Sequence, residues 1–146
     1  MKPRKVLFVC VHNSARSQMA EAFFNLLCGA DWEAQSAGLE PGGLNPIVVE
    51  AMHEIGINIS DKKTRAVRDV LDSGELYTVV VTVCSEAEAA GCPVFPGPAK
   101  RLHWPFPDPT GFTGDHEEKR ERTREVRDAI KAKITSWCAE LRSLSE

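Results

Sequence analysis

The chain has 146 residues, 42% of them hydrophobic and 27% charged, which is ordinary for one globular domain over residues 1–146. The net charge of -3 does not favour a nucleic-acid partner, and no apolar run approaches the roughly 18 residues of a membrane span. The first apolar run is too short for a signal peptide, so we expect a cytoplasmic monomer with neither a membrane nor a nucleic-acid partner.

Four segments have the composition of β-strands. Residues 5–10 form a continuous apolar run that is typical of a strand buried on both faces. Residues 33–37 are a shorter and weaker candidate. Residues 77–84, Y-T-V-V-V-T-V-C, are dense in β-branched side chains and give the strongest strand signal. Residues 101–104 are the fourth candidate.

Helical patterns alternate with these strands. The expected helices cover residues 15–28, a segment that begins at Asn45-Pro46 and ends at Gly56, residues 66–71, residues 85–90, and a long segment that Asp115 opens. Ser85 with Glu88, and Asp115 with Glu118, have the spacing of capping boxes. This alternation predicts a three-layer α/β sandwich around a central four-stranded parallel sheet.

The segment from Cys10 to Ser17, C-V-H-N-S-A-R-S, has the features of an oxyanion-binding loop. After Cys10 the chain must turn into a helix, so backbone N–H groups and the helix dipole point at one spot. Arg16 adds a planar pair of donors, and the same positive field stabilises a thiolate at Cys10. Asn13 suits a left-handed backbone position and Ser14 suits the N-cap. The residues that we expect to bind the oxyanion around this nucleophile are Val11, His12, Asn13, Ser14, Ala15, Arg16 and Ser17.

Two further cysteines, Cys84 and Cys92, flank the short helix predicted over residues 85–90. If that segment is helical, the eight steps between them span ~12 Å, whereas a disulfide needs Cα atoms within about 7 Å. The pair can therefore close only if the helix melts, which indicates a redox-coupled conformational switch. Two unrelated cysteines, or half of a zinc site, are the alternatives.

The loop resembles the phosphate loop of the low-molecular-weight tyrosine phosphatase superfamily, which includes the thioredoxin-coupled arsenate reductases. The match comprises Cys10, Asn13, Ser14, Arg16, Ser17 and the continuation Q-M-A-E. His12 stands where a glycine is usual, and Ala15 stands where a cysteine is common. The resemblance implies an arsenate reductase with a low-molecular-weight phosphatase-like fold, acting on arsenate and keeping residual phosphatase activity.

The resemblance also assigns roles to the cysteines. It implies that the Cys10 thiolate forms an adduct with arsenate, that Cys84 attacks Cys10 and releases arsenite, and that Cys92 then attacks Cys84. The resulting disulfide would be reduced by thioredoxin, with NADPH as the distal electron donor and no tightly bound cofactor. Glutaredoxin with glutathione, or another thiol, is an alternative reductant. Cys28 and Cys138 fall in helical segments with apolar neighbours, so we expect buried, inert thiols there.

The acid and a cation site are also implied by the resemblance. Asp108, in the Asp-Pro of a proline-rich loop, corresponds to the general acid, although Asp-Pro alone often only starts a turn. Some family members bind potassium near the loop, and Asn13, Glu21 and Ser36 match that site. Arg65 falls near where an acidic ligand would be expected.

Two other functions share these residues. A protein tyrosine phosphatase would use Cys10, Arg16 and Asp108, but such enzymes usually carry tyrosines just after the Asp-Pro, where this chain has T-G-F. A non-catalytic oxyanion-binding or redox-sensing module would bind arsenate or phosphate, or form a disulfide, without turnover. Alternatively, Cys10 is only a buried cysteine and Arg16 only a surface arginine.

Overall fold

The structure is a computed structural model that describes residues 4–145 apart from residues 94, 96 and 98. The strands are β1 (Arg4–Cys10), β2 (Trp32–Gly38), β3 (Val79–Thr82) and β4 (Lys100–His103). The α-helices are α1 (Arg16–Leu27), α2 (Pro46–His53), α3 (Val67–Asp72), α4 (Glu86–Ala89) and α5 (His116–Ser145). Short 3₁₀ turns cover Gly29–Asp31 and Pro109–Gly111. Among these described residues, no helix is both long and apolar enough to span a membrane.

The four strands form one parallel sheet in the order β2-β1-β3-β4. The predicted four-stranded parallel α/β architecture is thereby confirmed. Since parallel strands have their carboxyl ends at the same edge, the loop after β1 and the segment after β3 lie side by side. Cys10 is the last residue of β1, and Cys84 follows β3 by two positions.

Alternate residues of the central strand β1 face two separate hydrophobic clusters. Val6, Phe8 and Cys10 belong to the larger cluster, which also contains the buried side chains of α1 and α5. Leu7 and Val9 belong to the smaller cluster, together with residues of α3. The sheet is therefore covered by helices on both faces, which makes three layers.

Two helix starts follow their sequence signals. Asn45 caps α2, because its Oδ1 accepts hydrogen bonds from the backbone N–H groups of Ile47 and Val48, and Pro46 is the first helical residue. Asp115 caps α5 by accepting the backbone N–H of Glu118 at 2.8 Å. The strand predicted over residues 77–84 is shorter than expected and covers Val79–Thr82.

Cys28 and Cys138 form a disulfide, so the expectation of two inert thiols was wrong. Cys28 is the C-cap residue of α1 and Cys138 lies in α5, with their Cα atoms 5.2 Å apart. The two helices pack together on one face of the sheet, and this packing joins thiols 110 positions apart. Arg142 Nη2 also donates to the carbonyl of Leu27 at 2.6 Å, so the same end of α1 is held twice.

Candidate active site

The loop between β1 and α1 is fixed from outside by backbone hydrogen bonds. Four loop carbonyls, those of Cys10, Val11, His12 and Ser14, accept N–H groups of Leu39, Glu40, Gly42 and Asn45 at 2.7–3.0 Å. In a trans peptide the carbonyl and the next N–H point in opposite directions, and none of the described peptide bonds is cis. The loop amides that follow these carbonyls therefore point away from the 39–45 segment, as an oxyanion cradle requires.

Gly38 makes this close approach possible. A Cβ atom at this position would lie 2.7 Å from both the Asn13 nitrogen and the Val11 carbonyl oxygen, closer than such contacts occur. Gly38 pairs with Cys10 in the β1–β2 register. Its missing side chain therefore sets the position of the loop backbone, a role that sequence analysis did not assign.

Asn13 holds the loop in shape, as its predicted left-handed conformation suggests. Its φ is 53°, and its Nδ2 donates to Ser17 Oγ at 2.7 Å and to Ser36 Oγ at 2.9 Å. Its Oδ1 accepts the backbone N–H of Arg65 at 2.9 Å and the Gln18 side chain at 3.2 Å. All the hydrogen-bonding capacity of the Asn13 side chain is used within the protein, so Asn13 stabilises the conformation of the loop.

The thiol of Cys10 lies inside the cradle. Its Sγ is 2.8 Å from Ser17 Oγ and accepts the backbone N–H of Asn13 at 3.2 Å. The N-cap of α1 is Ala15, without a side-chain hydrogen bond, so the prediction that Ser14 caps this helix was wrong. Because no side chain caps α1, its first N–H groups and its dipole are available to an anion beside Cys10.

Arg16 is the buried cation of the site. Its side chain is 3% exposed, and its terminal nitrogens lie 3.4 Å from Glu88 Oε1 and 3.4 Å from Asp108 Oδ2. It also donates to the carbonyl of Phe106 at 3.3 Å. Its buried Nε has no hydrogen-bond partner among the described residues. A buried donor without a partner marks a position where a ligand is expected.

Asp108 starts a turn, as its Asp-Pro sequence predicts, and its side chain also faces the loop. Its Oδ1 accepts the backbone N–H of Thr110, and its Oδ2 points at Arg16. A narrow cleft is lined by Cys10, His12, Ser14, Ala15, Arg16 and Asp108. The His12 ring is anchored at the cleft mouth, with its Nδ1 2.9 Å from the carbonyl oxygen of Glu40.

The two other candidate cysteines are free thiols on opposite faces of the sheet. Cys84 is fully buried in the same cluster as Cys10, whereas Cys92 lies in the cluster that contains Leu7 and Val9. The predicted helix between them is present as α4, with the complete Ser85–Glu88 capping box. Burial raises the pKa of the Cys84 thiol to about 11, although Arg16 opposes the shift. Burial also raises the pKa of Cys92.

The predicted potassium ligands Asn13, Glu21 and Ser36 lie together in the structure and hydrogen-bond to one another. Ser36 Oγ donates to Glu21 Oε1 at 3.0 Å and receives the Asn13 amide, so these groups satisfy one another. The Lys62 ammonium contacts the other oxygen of Glu21. Lys62 thus already supplies the positive charge that Glu21 requires, and burial lowers the pKa of that lysine.

Comparison with known proteins agrees with this geometry. The model of the family described as low molecular weight phosphotyrosine protein phosphatase matches residues 5–145. An arsenate reductase of Shouchella clausii is 43% identical over 138 residues, covering 94% of this chain and 96% of that protein.

Solved structures give the same result. The crystal structure of an arsenate reductase from Archaeoglobus fulgidus superposes with a TM-score of 0.72 at 33% identity, covering 92% of this chain and 98% of that one. A thioredoxin-dependent arsenate reductase of Corynebacterium glutamicum gives a TM-score of 0.63 at 29% identity, covering 90% of this chain and 62% of that one. The chain belongs to the low molecular weight phosphotyrosine protein phosphatase family, and within it this chain is similar to arsenate reductases.

Proposed function

We propose that this protein is an arsenate reductase that uses Cys10, Cys84 and Cys92 in a disulfide relay recycled by thioredoxin. The observation that carries the proposal is that the chain has two buried free thiols, Cys84 and Cys92, in addition to the candidate nucleophile, clamp and acid. Hydrolysis of a phosphate ester needs only Cys10, Arg16 and Asp108. Reduction of arsenic needs two electrons, and thiols can supply them.

In the first step the Cys10 thiolate attacks arsenic, and a bound oxygen leaves as water after Asp108 supplies a proton. Arg16 and the loop amides bind the remaining oxygens and stabilise the charge that develops on them. The hydroxyl of Ser17, 2.8 Å from Cys10 Sγ, stabilises the thiolate before the attack. The product is a thiol–arsenate adduct in which arsenic is still pentavalent.

In the second step the Cys84 sulfur attacks Cys10 Sγ, and the electron pair of the S–As bond passes to arsenic. Arsenite leaves, and Cys10 and Cys84 are oxidised together to a disulfide. Cys92 then attacks Cys84, which releases Cys10 as a thiolate and forms the Cys84–Cys92 disulfide. A dithiol of thioredoxin reduces this bond, with NADPH as the distal source of electrons. Because Cys92 starts on the opposite face of the sheet, the 84–92 segment must rearrange during this step.

A phosphatase is the second candidate, favoured by the fact that Cys10, Arg16 and Asp108 line one cleft. Tyr77 is the only tyrosine; it is buried, and its hydroxyl oxygen lies 2.7 Å from Gln35 Oε1 and 2.9 Å from Glu75 Oε2. Tyr77 therefore offers no wall for a phosphotyrosine ring at the cleft. We expect slow hydrolysis of small aryl phosphates as a side activity.

The test is arsenate-dependent oxidation of NADPH in the presence of thioredoxin and thioredoxin reductase. Turnover supports the relay. Absence of turnover with intact aryl-phosphate hydrolysis would favour a phosphatase or a different thiol donor, which a parallel assay with glutaredoxin and glutathione separates. Binding of arsenate or phosphate without either activity would indicate a non-catalytic module.

A further inference from the structure

Arg16 faces two carboxylates, and the proposed chemistry uses only one of them. Asp108 is the acid, whereas Glu88, at 3.4 Å from Arg16 Nη1, has no role in the reaction described above. Glu88 lies in α4, the helix that separates Cys84 from Cys92. The anion clamp is therefore in contact with the segment that must rearrange.

A single oxygen of Glu88 takes part in both the capping box of α4 and the contact with Arg16. Glu88 Oε1 accepts the backbone N–H of Ser85 at 3.0 Å and also contacts Arg16 Nη1. The hydrogen bonds from Ser85, and then the charge of Arg16, lower the pKa of Glu88, so its carboxylate is ionised at neutral pH. At the other end of α4, Arg101 Nη2 donates to the carbonyl of Ala89 at 2.8 Å.

The length of α4 makes these contacts important. A helix of four residues has almost no stability of its own, so its end contacts decide whether it is formed. The contact between Arg16 and Glu88 is one of them. An oxyanion bound at the unpartnered Nε of Arg16 offsets the positive charge that Glu88 contacts at Nη1, and it places a second negative charge near that carboxylate.

We propose that Glu88 is a positioning residue that couples occupancy of the oxyanion site to the stability of helix α4. In the free protein Glu88 holds α4 against Arg16 and keeps Cys92 away from Cys84. A bound oxyanion weakens the attraction between Arg16 and Glu88, and α4 then unwinds more readily. Coupling of this kind is reciprocal, so weakening the contact must also tighten anion binding. The biological use of this coupling rests on the proposed relay, but the coupling itself involves only the anion and α4.

The test uses inorganic phosphate as the probe and compares the unchanged protein with three variants. Glu88→Gln removes the charge that contacts Arg16. Glu86→Gln, in the same helix turn but exposed, is the matched control for charge. Ser85→Ala weakens the capping box without touching Arg16. Phosphate affinity is measured by titration calorimetry, and amide hydrogen exchange over residues 86–90 is measured with and without saturating phosphate.

We expect phosphate to speed exchange over residues 86–90 roughly two- to fivefold in the unchanged protein, the range of a partly exposed ion pair. Glu88→Gln should bind phosphate tighter by a similar factor and lose the phosphate effect on exchange. Glu86→Gln should match the unchanged protein, and Ser85→Ala should exchange faster while keeping the phosphate effect.

Exchange in α4 that is unchanged or slowed by phosphate would overturn the proposal. Equal phosphate affinity of Glu88→Gln and Glu86→Gln would do the same. If Glu88→Gln fails to fold, the effect of phosphate on amide exchange in the unchanged protein and in Ser85→Ala still tests the proposal. None of these measurements needs arsenate or thioredoxin, so their outcome is independent of whether the relay turns over.

Discussion

The side chains of Cys84 and Cys92 lie on opposite faces of the central sheet, each buried in a different hydrophobic cluster. Cys84 shares its cluster with Cys10, so the first disulfide of the proposed relay can form on one face. The second disulfide requires the chain after β3 to change its path. The two oxidation steps are therefore separable by mutation.

Cys92→Ser should stop the relay after the first disulfide. We expect about one arsenite per chain in a single turnover, followed by arrest with Cys10 bonded to Cys84. Cys84→Ser should release no arsenite and still hydrolyse a small aryl phosphate. Arsenite is measured after acid quench, and the trapped disulfide by peptide mass mapping. Continued turnover of Cys92→Ser would contradict the assignment of Cys92.

The release of arsenite should depend on pH through Cys84. Burial raises the pKa of this thiol to about 11, so near neutral pH only a small fraction is thiolate. That fraction, and with it the single-turnover rate of Cys92→Ser, should rise about tenfold per pH unit up to this pKa. Aryl-phosphate hydrolysis by the same variant does not use Cys84. Dividing the arsenite-release rate by the hydrolysis rate at each pH therefore removes the effect of titrating groups that both reactions share. A corrected rate that stays flat between pH 6 and 8 would show that attack by Cys84 does not limit the step.

The same shift affects folding stability in the opposite sense. Because burial raises the pKa of the folded-state thiol above 9.0, the ordinary value for a cysteine, the folded protein prefers the protonated thiol. This stabilisation is fully present below pH 9 and is lost as the pH rises toward 11. Cys84→Ser should therefore show a smaller loss of unfolding free energy over that interval, measured by urea denaturation. Identical slopes for the two proteins would contradict the shift.

Gly38→Ala should damage the loop itself. The new methyl group would meet loop backbone at 2.7 Å, so the loop must move away from β2. We expect arsenate reduction, aryl-phosphate hydrolysis and phosphate affinity all to fall about tenfold or more, in line with overpacking costs of about 1–3 kcal/mol. Gly43→Ala is the matched control, because nothing lies within 4 Å of its added Cβ. Equal activity of the two variants would show that the loop tolerates the displacement.

Much of the architecture could be predicted because local patterns agree with it. The apolar run that ends at Cys10, the Asn45-Pro46 start and the Ser85–Glu88 box all depend on near neighbours in sequence. The Cys28–Cys138 bond could not be predicted, because it depends on how two distant helices cross. The importance of Gly38 could not be predicted for a related reason. It depends on how closely the loop after the neighbouring strand β1 approaches this residue.

The loop residues also divide into features that near neighbours in sequence determine and features that distant contacts determine. Asn13 was expected to adopt a left-handed conformation, and it does. Ser14 was expected to cap α1, but Ala15 takes that position because the Ser14 carbonyl is held by Asn45 outside the loop. The contact of Lys62 with Glu21 had no signal in the sequence, since it joins a helix to a distant connecting segment.

Lys62→Met should reveal what the contact with Glu21 does. The substitution leaves the buried carboxylate of Glu21 without its counter-charge. We expect a loss of about 1–2 kcal/mol in the free energy of unfolding, which is less than for a fully buried pair because the lysine is partly exposed. Potassium chloride should then restore melting temperature more than choline chloride of equal ionic strength, by binding where the ammonium was. Lys63→Met, at the neighbouring exposed lysine, is the control. An equal response to both salts would show that no cation replaces the lysine.

Loss of the Cys28–Cys138 bond should lower stability without touching the chemistry. A cross-link between distant residues typically contributes about 2–4 kcal/mol. The double variant Cys28→Ser/Cys138→Ser should lose stability of this order in urea denaturation and keep its arsenate-dependent turnover. Turnover that disappears at temperatures where the variant is still folded would assign this pair a part in the electron path.

The four-residue length of α4 has an electrochemical consequence. If α4 unwinds only in the Cys84–Cys92 disulfide form, the free energy of unwinding destabilises the oxidised protein relative to the reduced protein. Each 1.4 kcal/mol there raises a two-electron reduction potential by about 30 mV, and the loss of one capping interaction costs about 1 kcal/mol. So short a helix therefore shifts the potential by only a few tens of millivolts, about 20–40 mV. The shift favours reduction of the disulfide by an external dithiol, whereas a helix of several turns would hold the couple back from oxidation altogether.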